Sequence, residues 1–284
     1  MKTNEIKALV SLLDDDDKEV SDHVEQKIIS LGDTVIPFLE DEWEHNLIPG
    51  VQKKIEELIH QLQFDGLKSK LIQWKESPEP DLLEGMWLIA TYQYPDLSME
   101  KLRKEIEQIY YETWVDFKAT MHPVDQIKTL NHVIFNQLKF GANTKNFHAP
   151  ANSMLNIVLE SRRGNPISLC VVYMLIARKL RLPIFGVNLP NLFILTYKSA
   201  DTQFYINVFN KGIIFSKTDI DSYLSQLNLP HSDIFYEPCE SVDIIRRVFR
   251  NLLQSFEKTG DLDKVDEIKL LLKSISTGEN HVIE

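Results

Sequence analysis

The stretch RRGNPISLCVVYMLIARKLRLP, from Arg162 to Pro183, decides how the centre of this chain folds. Gly164 permits a tight turn, Asn165 is a favoured N-cap, and Pro166 suits the first helical position, where its missing N–H costs nothing. The residues after Pro166 are apolar on nearly every face of a helix. The stretch therefore predicts a helix that begins at Pro166 and lies at the centre of the core.

Cys170 lies one turn inside this predicted helix, and its chemistry bears on whether the chain is an enzyme. A helix N-terminus lowers the pKa of a thiol, but that influence decays after the first turn, and apolar neighbours raise the pKa instead. No histidine occurs between Pro150 and Pro230. A base for Cys170 would have to come from elsewhere, such as His132 or His148. We expect an inert core thiol.

After Pro183 the sequence pattern changes from helix to strand. The segments IFGVNL, LFILTY, FYINVF and GIIFS either alternate or are continuously apolar. Helices come first and several sequential strands follow, which favours an antiparallel sheet and the α+β class. We expect a central buried helix packed against a small antiparallel sheet.

Helices are predicted on both sides of this core. Apolar residues at three- and four-residue steps mark short amphipathic helices near the N-terminus, and paired helices of this kind resemble HEAT-type repeats. Two prolines in SPEPD, residues 77–81, mark a boundary. From Ser241 two further helices, broken at Gly260 with Asp261 placed to cap, resemble a TPR-type hairpin. The predicted domains are residues 1–76 (HEAT-like), 81–236 (core) and 237–284 (TPR-like).

Aromatic residues accompany the helices between the boundary and the core. Trp87, Tyr110 and Trp114 fall on predicted apolar faces. We expect them to be core residues rather than a ligand cage.

Composition and charge exclude several classes of function. The chain has 31 basic and 42 acidic residues and a net charge of −11, which repels phosphate backbones and anionic lipids. Its longest apolar runs reach about half of a membrane span, and its start lacks a signal-peptide cleavage site. Cys170 and Cys239 are too few for a disulfide framework, and the histidines lack metal-site spacing. We expect a cytoplasmic protein with no nucleic-acid or membrane partner, no metal and no other cofactor.

Short motifs occur in order around the predicted helix: Asn152-Ser153, Gly164-Asn165-Pro166, Leu182-Pro183 and Val187-Asn188-Leu189-Pro190. This arrangement resembles the SirB-type transglutaminase-like family over roughly residues 85–235. The wider superfamily includes thiol peptidases and places a Cys at the head of a buried helix, a His on one following strand and an Asp on the next. The resemblance implies a transglutaminase-like core with its active site at the start of the predicted helix.

The resemblance also assigns positions to this triad, and those positions lack its chemistry. The nucleophile position is Pro166, the histidine position is Leu192 and the acid position is Asn207. Proline has no nucleophile, leucine cannot shuttle a proton, and asparagine cannot stabilise an imidazolium as a carboxylate does. The resemblance therefore implies a degenerate active site without catalytic residues.

Polar residues near the same place could form a binding groove. They are Asn152, Ser153, Asn156, Arg162, Arg163, Asn165 and Asn188. Such a groove would bind a peptide carboxylate, with the helix-start N–H groups and the arginines as donors. In the other interpretation Asn152 and Asn188 hydrogen-bond local turns and the arginines are solvated. The sequence leaves both open.

These observations favour a non-catalytic interaction or scaffold protein that binds a protein or peptide partner. The alternative is a cryptic thiol enzyme, an acyl transferase or peptidase, that uses Cys170 with a histidine from elsewhere; a low thiol pKa and a histidine within hydrogen-bond reach would support it. A third hypothesis is a regulator that binds substrate-like peptides without cleaving them, which predicts an open groove beside Asn165.

Overall fold

The structure, a computed structural model, describes residues 3–230 and 232–276. Its α-helices are α1 (Thr3–Ser11), α2 (Lys18–Ile29), α3 (Ile36–His45), α4 (Pro49–Glu76), α5 (Leu82–Thr91), α6 (Met99–Asp116), α7 (Pro123–Asn131), α8 (Leu155–Ser161), α9 (Pro166–Lys179), α10 (Lys217–Gln226), α11 (Ser241–Thr259) and α12 (Leu262–Ile275). Its strands are β1 (Gly141–Ala142), β2 (Arg163–Gly164), β3 (Ile184–Leu189), β4 (Leu192–Lys198), β5 (Gln203–Asn207) and β6 (Ile213–Phe215). The predicted α+β class is confirmed.

The chain forms two compact units, Met1–Gln73 and Trp74–Glu284. In the first unit α1, α2, α3 and α4 share one core, in which Leu13, Ile28 and Leu39 are fully buried. Each helix contributes an apolar stripe that it could not bury alone. The first unit is therefore stabilised by packing between helices.

The second unit is built on a four-stranded antiparallel sheet in the order β3-β4-β5-β6. Consecutive strands pair as neighbours, with Gly186 opposite Leu195 and Ile206 opposite Ile214. Helix α9 packs against β3 and β4, and all its residues from Ile167 to Ala177 are buried. This central helix begins at Pro166, and the antiparallel sheet follows it, as the sequence predicted.

The opposite face of the sheet packs against α10. Tyr205 of β5 shares an apolar cluster with Ile220 and Leu224 of α10. The sequence analysis did not predict α10. It also did not predict the short parallel pair of β1 and β2, in which Gly141 pairs with Arg163. Two residues are too few to give a sequence pattern.

The C-terminal helices belong to the second unit, where α11 packs against α5 and α9. Helix α11 ends at Gly260, whose φ of 77° is left-handed, and Asp261 Oδ1 accepts a hydrogen bond from the Lys264 N–H at 3.4 Å. The predicted break and cap are confirmed. The third predicted domain runs to residue 284, and its residues 277–284 lie outside the described residues.

The aromatic residues of α5 and α6 do not share one environment. Trp87 is half-buried and donates from Nε1 to the Leu97 carbonyl at 2.7 Å. Trp114, in contrast, is 58% exposed near the end of α6. The prediction that Trp114 is a core residue is wrong, because periodicity identifies a helix face but not how far along the helix that face stays covered.

Candidate functional site

A buried hydrogen-bond network holds the start of α9. Asn165 Oδ1 accepts from the Ser168 N–H at 2.9 Å, and Ser168 Oγ accepts from the Asn165 N–H at 3.0 Å. Asn165 Nδ2 donates to Ser153 Oγ at 2.9 Å. A Cβ at Gly164 would lie 2.5 Å from Ser168 Oγ, so only glycine fits there. This capping box gives the helix start a rigid frame.

A cavity of about 150 Å³ opens beside this helix start. Four parts of the second unit form it: the loop before α8, the start of α9, the turn before β4 with the first residues of that strand, and α11. The lining residues are Phe147, His148, Asn165, Pro166, Ile167, Asn191, Phe193, Arg247, Asn251, Gln254 and Ser255. The cavity therefore combines apolar walls with amide, imidazole and guanidinium groups.

The structure brings only one of the three triad-matched positions to this cavity. Pro166 lies in its wall. Leu192 packs against the apolar cluster on the α10 face of the sheet, and the next residue, Phe193, lines the cavity. Asn207 Oδ1 accepts from the Asn210 N–H at 3.1 Å and so caps a short turn after β5. These three positions do not form a common site.

Cys170 lies inside the core. Its side chain is fully buried, and its Sγ donates to the Phe193 carbonyl across 3.7 Å. Burial raises the pKa of this thiol well above its usual value, and the neighbouring Cys239 raises it further. Burial likewise raises the pKa of Cys239 to about 12. Burial therefore favours the neutral thiol at both positions, and the neutral thiol is the less reactive form.

Asn152 and Ser153, from the predicted groove, support the loop that forms one cavity wall. Asn152 Nδ2 donates to the carbonyls of Asn146 (2.7 Å) and Phe147 (3.0 Å), and its Oδ1 accepts from Asn143 at 2.8 Å. Ser153 accepts the bond from Asn165 described above. Asn152 therefore holds Phe147 in place without lining the cavity itself.

The two arginines of the predicted groove contact other parts of the chain and do not line the cavity. Arg162, with a left-handed φ of 58°, stacks its guanidinium 4.7 Å from the centre of the Phe140 ring. Arg163 is exposed, and its Nη1 donates to the Lys139 carbonyl at 2.5 Å. Of the seven predicted groove residues, only Asn165 lines the cavity.

Three of the seven predicted groove residues have a buried atom with no hydrogen-bond partner among the described residues. These atoms are Asn156 Oδ1, Asn188 Oδ1 and Arg162 Nη1. None of the three residues lines the cavity.

A model of the transglutaminase-like superfamily matches residues 100–250, more than half of the chain. The chain belongs to the transglutaminase-like superfamily. The match contains α9, the sheet and most of the residues that line the cavity, so the cavity is a feature of the transglutaminase-like domain.

Several curated proteins resemble this transglutaminase-like chain. A UPF0162 protein of Xylella fastidiosa (strain Temecula1) is 32% identical over an alignment of 142 positions, which covers 46% of this chain and 47% of that protein. The UPF0162 protein YchA of Escherichia coli K12 is 26% identical over 68% of this chain and 71% of its own length. F-box only protein 21 of Mus musculus is 27% identical over 47% of this chain and 22% of its own length. The matched region thus spans about half the length of the Xylella relative, and no solved structure matches the chain.

Arg247 is a cavity residue of this transglutaminase-like domain that the sequence did not reveal. It is half-buried on α11 and has no hydrogen bond or ion pair within the part of the chain that the structure describes. Burial lowers the pKa of its guanidinium, and the charge of Arg250 lowers it further. Arg247, Asn251 and Gln254 recur at three- to four-residue steps on α11, a polar stripe visible in the sequence, although only the fold shows what it faces.

His148 is held at the cavity edge by a lysine. Its Nε2 lies 2.7 Å from Lys258 Nζ. An ammonium group only donates, so Nε2 is the acceptor in this contact. The ring of Phe147 meets the His148 ring and the Phe209 ring edge-on, which supports the loop from the other side.

The described residues hold no cluster of three or more His, Cys, Asp or Glu side chains suited to a metal ion. Among the described helices, none combines the length and the apolarity needed to cross a membrane.

Proposed function

We propose that this chain is a non-catalytic, SirB-type member of the transglutaminase-like superfamily that binds a protein or peptide partner in the cavity beside Pro166. The observation that carries the proposal is Pro166 itself. The position that the superfamily pattern assigns to the nucleophile lies in the wall of a cavity and has no reactive group. Such a cavity can hold a ligand but offers no group there for covalent catalysis.

The lining of the cavity supports a binding role. Ligand sites combine apolar walls with a few convergent polar groups. Here Phe147, Ile167 and Phe193 are the apolar walls, and Arg247 and Asn191 are among the polar groups. The cavity also lies directly beside Asn165, which suits the hypothesis of a regulator that binds peptides without cleaving them.

The cryptic thiol enzyme receives less support from this geometry. Cys170 is fully buried and does not line the cavity, and its thiol donates to a backbone carbonyl. Catalysis by Cys170 would require both its exposure and a base in hydrogen-bond reach. A binding role requires neither.

We further propose that the N-terminal helices are HEAT-like and the C-terminal hairpin is TPR-like, and that both offer surfaces to partners. The domain boundaries at residues 1–76, 81–236 and 237–284 belong to this proposal. We also propose a cytoplasmic location without nucleic-acid or membrane partners and without a cofactor; the net charge of −11 and the cysteine and histidine patterns given above support this.

A peptide display library selected against the full chain tests the proposal. Gln254 is exposed and lines the cavity, whereas Glu257 is exposed on the same helix and does not. We expect Gln254→Trp, which fills the cavity mouth, to weaken binding of the selected peptides by at least about tenfold, and Glu257→Trp to leave it unchanged. Equal affinity in both variants, or cleavage of the bound peptides seen by mass spectrometry, would contradict the proposal.

A further inference from the structure

Arg247 differs from its neighbour Arg246 in how its charge is satisfied. Arg246 donates to the Ile275 carbonyl at 2.7 and 3.1 Å and pairs with Asp243 at 3.1 Å. Arg247 has no such partner among the described residues, although the chain contains 42 acidic residues. A half-buried guanidinium without a partner carries a desolvation cost that a bound anion would offset.

The rest of the polar lining is neutral or positive. No aspartate or glutamate from the described part of the chain lines the cavity. Asn191, Asn251 and Gln254 contribute side-chain amides, each with two donors, and Arg250 lies close enough to Arg247 to affect its titration. In an acidic protein, this cavity is therefore a local site for a negative charge.

The start of α9 offers fewer backbone donors than most helix starts. Pro166 has no N–H, and the N–H of Ser168 is already donated to Asn165 Oδ1 at 2.9 Å. Arg247 on α11 is thus the charged donor of the cavity.

The size and charge of the cavity limit the kind of anion. One guanidinium lies in the wall, which matches the single charge of a carboxylate better than the charge of about −2 on a phosphate group. A cavity of about 150 Å³ is the size that holds one benzene-sized group. Phe147, Ile167 and Phe193 would contact an apolar side chain of that size.

We infer that the cavity binds the C-terminal residue of a peptide, with its carboxylate on Arg247 and an apolar side chain against Phe147, Ile167 and Phe193. This inference rests on the proposed function and names the ligand group that the cavity takes. Guanidinium and carboxylate form two parallel N–H···O bonds, which fixes the orientation of the bound residue.

Calorimetric titration of the full chain tests the inference with three probes: acetyl-Gly-Leu with a free carboxylate, the same dipeptide as its amide, and inorganic phosphate. We expect the free acid to bind at least about tenfold more tightly than the amide, since charged hydrogen bonds are lost. Arg247→Gln should weaken the acid by about tenfold or more. Arg250→Gln removes the same charge one turn away, outside the cavity lining, and should change the affinity by less than about threefold.

Each outcome bears on the inference. The inference is wrong if the acid and the amide bind with equal affinity, or if the acid does not bind at about 10 mM. This comparison uses the unmodified chain, so it does not depend on whether a variant folds. If phosphate binds as tightly as the free acid of the dipeptide, the inference that the ligand is a peptide C-terminus is wrong. If Gln254→Trp still blocks the selected peptides while Arg247→Gln binds the acid normally, the proposed function stands and the carboxylate inference fails.

Discussion

Asn165 connects the local chemistry of the chain to the cavity. Its side chain caps α9 through Ser168 and holds Ser153, which ends the loop that carries Phe147. The residue is 7% exposed, so these hydrogen bonds have few competing waters. The cap and the cavity wall therefore depend on the same side chain.

We expect Asn165→Ala to lower the free energy of unfolding by about 2–3 kcal/mol, because it removes an N-cap and leaves buried donors and acceptors unpaired. Ser216→Ala is the matched control, since Ser216 caps α10 with an exposed side chain, and its cost should be about 1 kcal/mol. Urea unfolding of the two variants measures both values. Equal losses would show that the contact with Ser153 contributes nothing.

At this scale the sequence predicted part of the site. Asn165 and Pro166 were identified because capping and proline at the first helical position are local effects. Arg247 was missed because its role depends on the packing of α11 against α9, more than sixty residues away in the sequence. Local pattern carries no information on such long-range contacts.

Among the elements, α5 and α11 meet at Gly85. A Cβ at this position would lie 2.7 Å from Trp74 Cζ2 and 2.8 Å from Ile245 Cγ1. Because Gly85 has no side chain, α11 can pack closely against α5. This packing positions the cavity residues of α11.

Gly85→Ala should therefore destabilise the chain by about 1–3 kcal/mol through overpacking, although alanine favours a helix. Gly66→Ala in α4 is the control, because a Cβ there would meet nothing closer than Asp33 Oδ2 at 3.4 Å. It should stabilise the chain by about 0.5–1 kcal/mol. If thermal unfolding shows gains for both variants, the packing of α11 on α5 is looser than described.

The start of α10 should give a dependence of stability on pH. Asp219 accepts from the N–H and the Oγ of Ser216, both at 2.7 Å, and the backbone bond is the main cause of its lowered pKa. Because the folded pKa lies below the unfolded value of 3.8, the ionised form favours folding. This contribution is present above that value and is lost as the pH falls through the folded pKa.

The difference in urea midpoint between the native chain and Asp219→Asn should consequently be largest near pH 7 and shrink as the pH falls below 3.8 and through the lowered folded pKa. Asp201→Asn, in the exposed loop between β4 and β5, serves as the control. A difference that stays constant from about pH 7 to pH 3 would rule out this carboxylate as the cause.

The elements themselves were predictable to different degrees. Strands β3 and β4 were predicted because each is a continuous or alternating apolar run bounded by a turn. Helix α10 was missed, since its sequence KTDIDSYLSQ is mostly polar, and only Ile220 and Leu224 are buried. Trp114 was assigned to the core because it lies on the apolar face of α6. The C-terminal end of that face is not covered by other elements, and Trp114 is exposed there.

Across the whole molecule, the second unit has a cavity beside Pro166, the position that the sequence resemblance predicts for the nucleophile. The cavity has Pro166 in its wall, and the cysteine of the same helix lies one turn further, in the core. Our account of the protein as a binding member of its superfamily depends on that separation between cavity and thiol.

The most direct test is the alkylation rate of Cys170 by iodoacetamide in the folded full chain, from about pH 5 to pH 9, in a Cys239→Ser variant so that one thiol reports. We predict slow labelling at every pH, with rapid labelling only after denaturant is added. Rapid labelling of the folded protein that persists below about pH 7 would reveal an accessible thiolate and contradict the account.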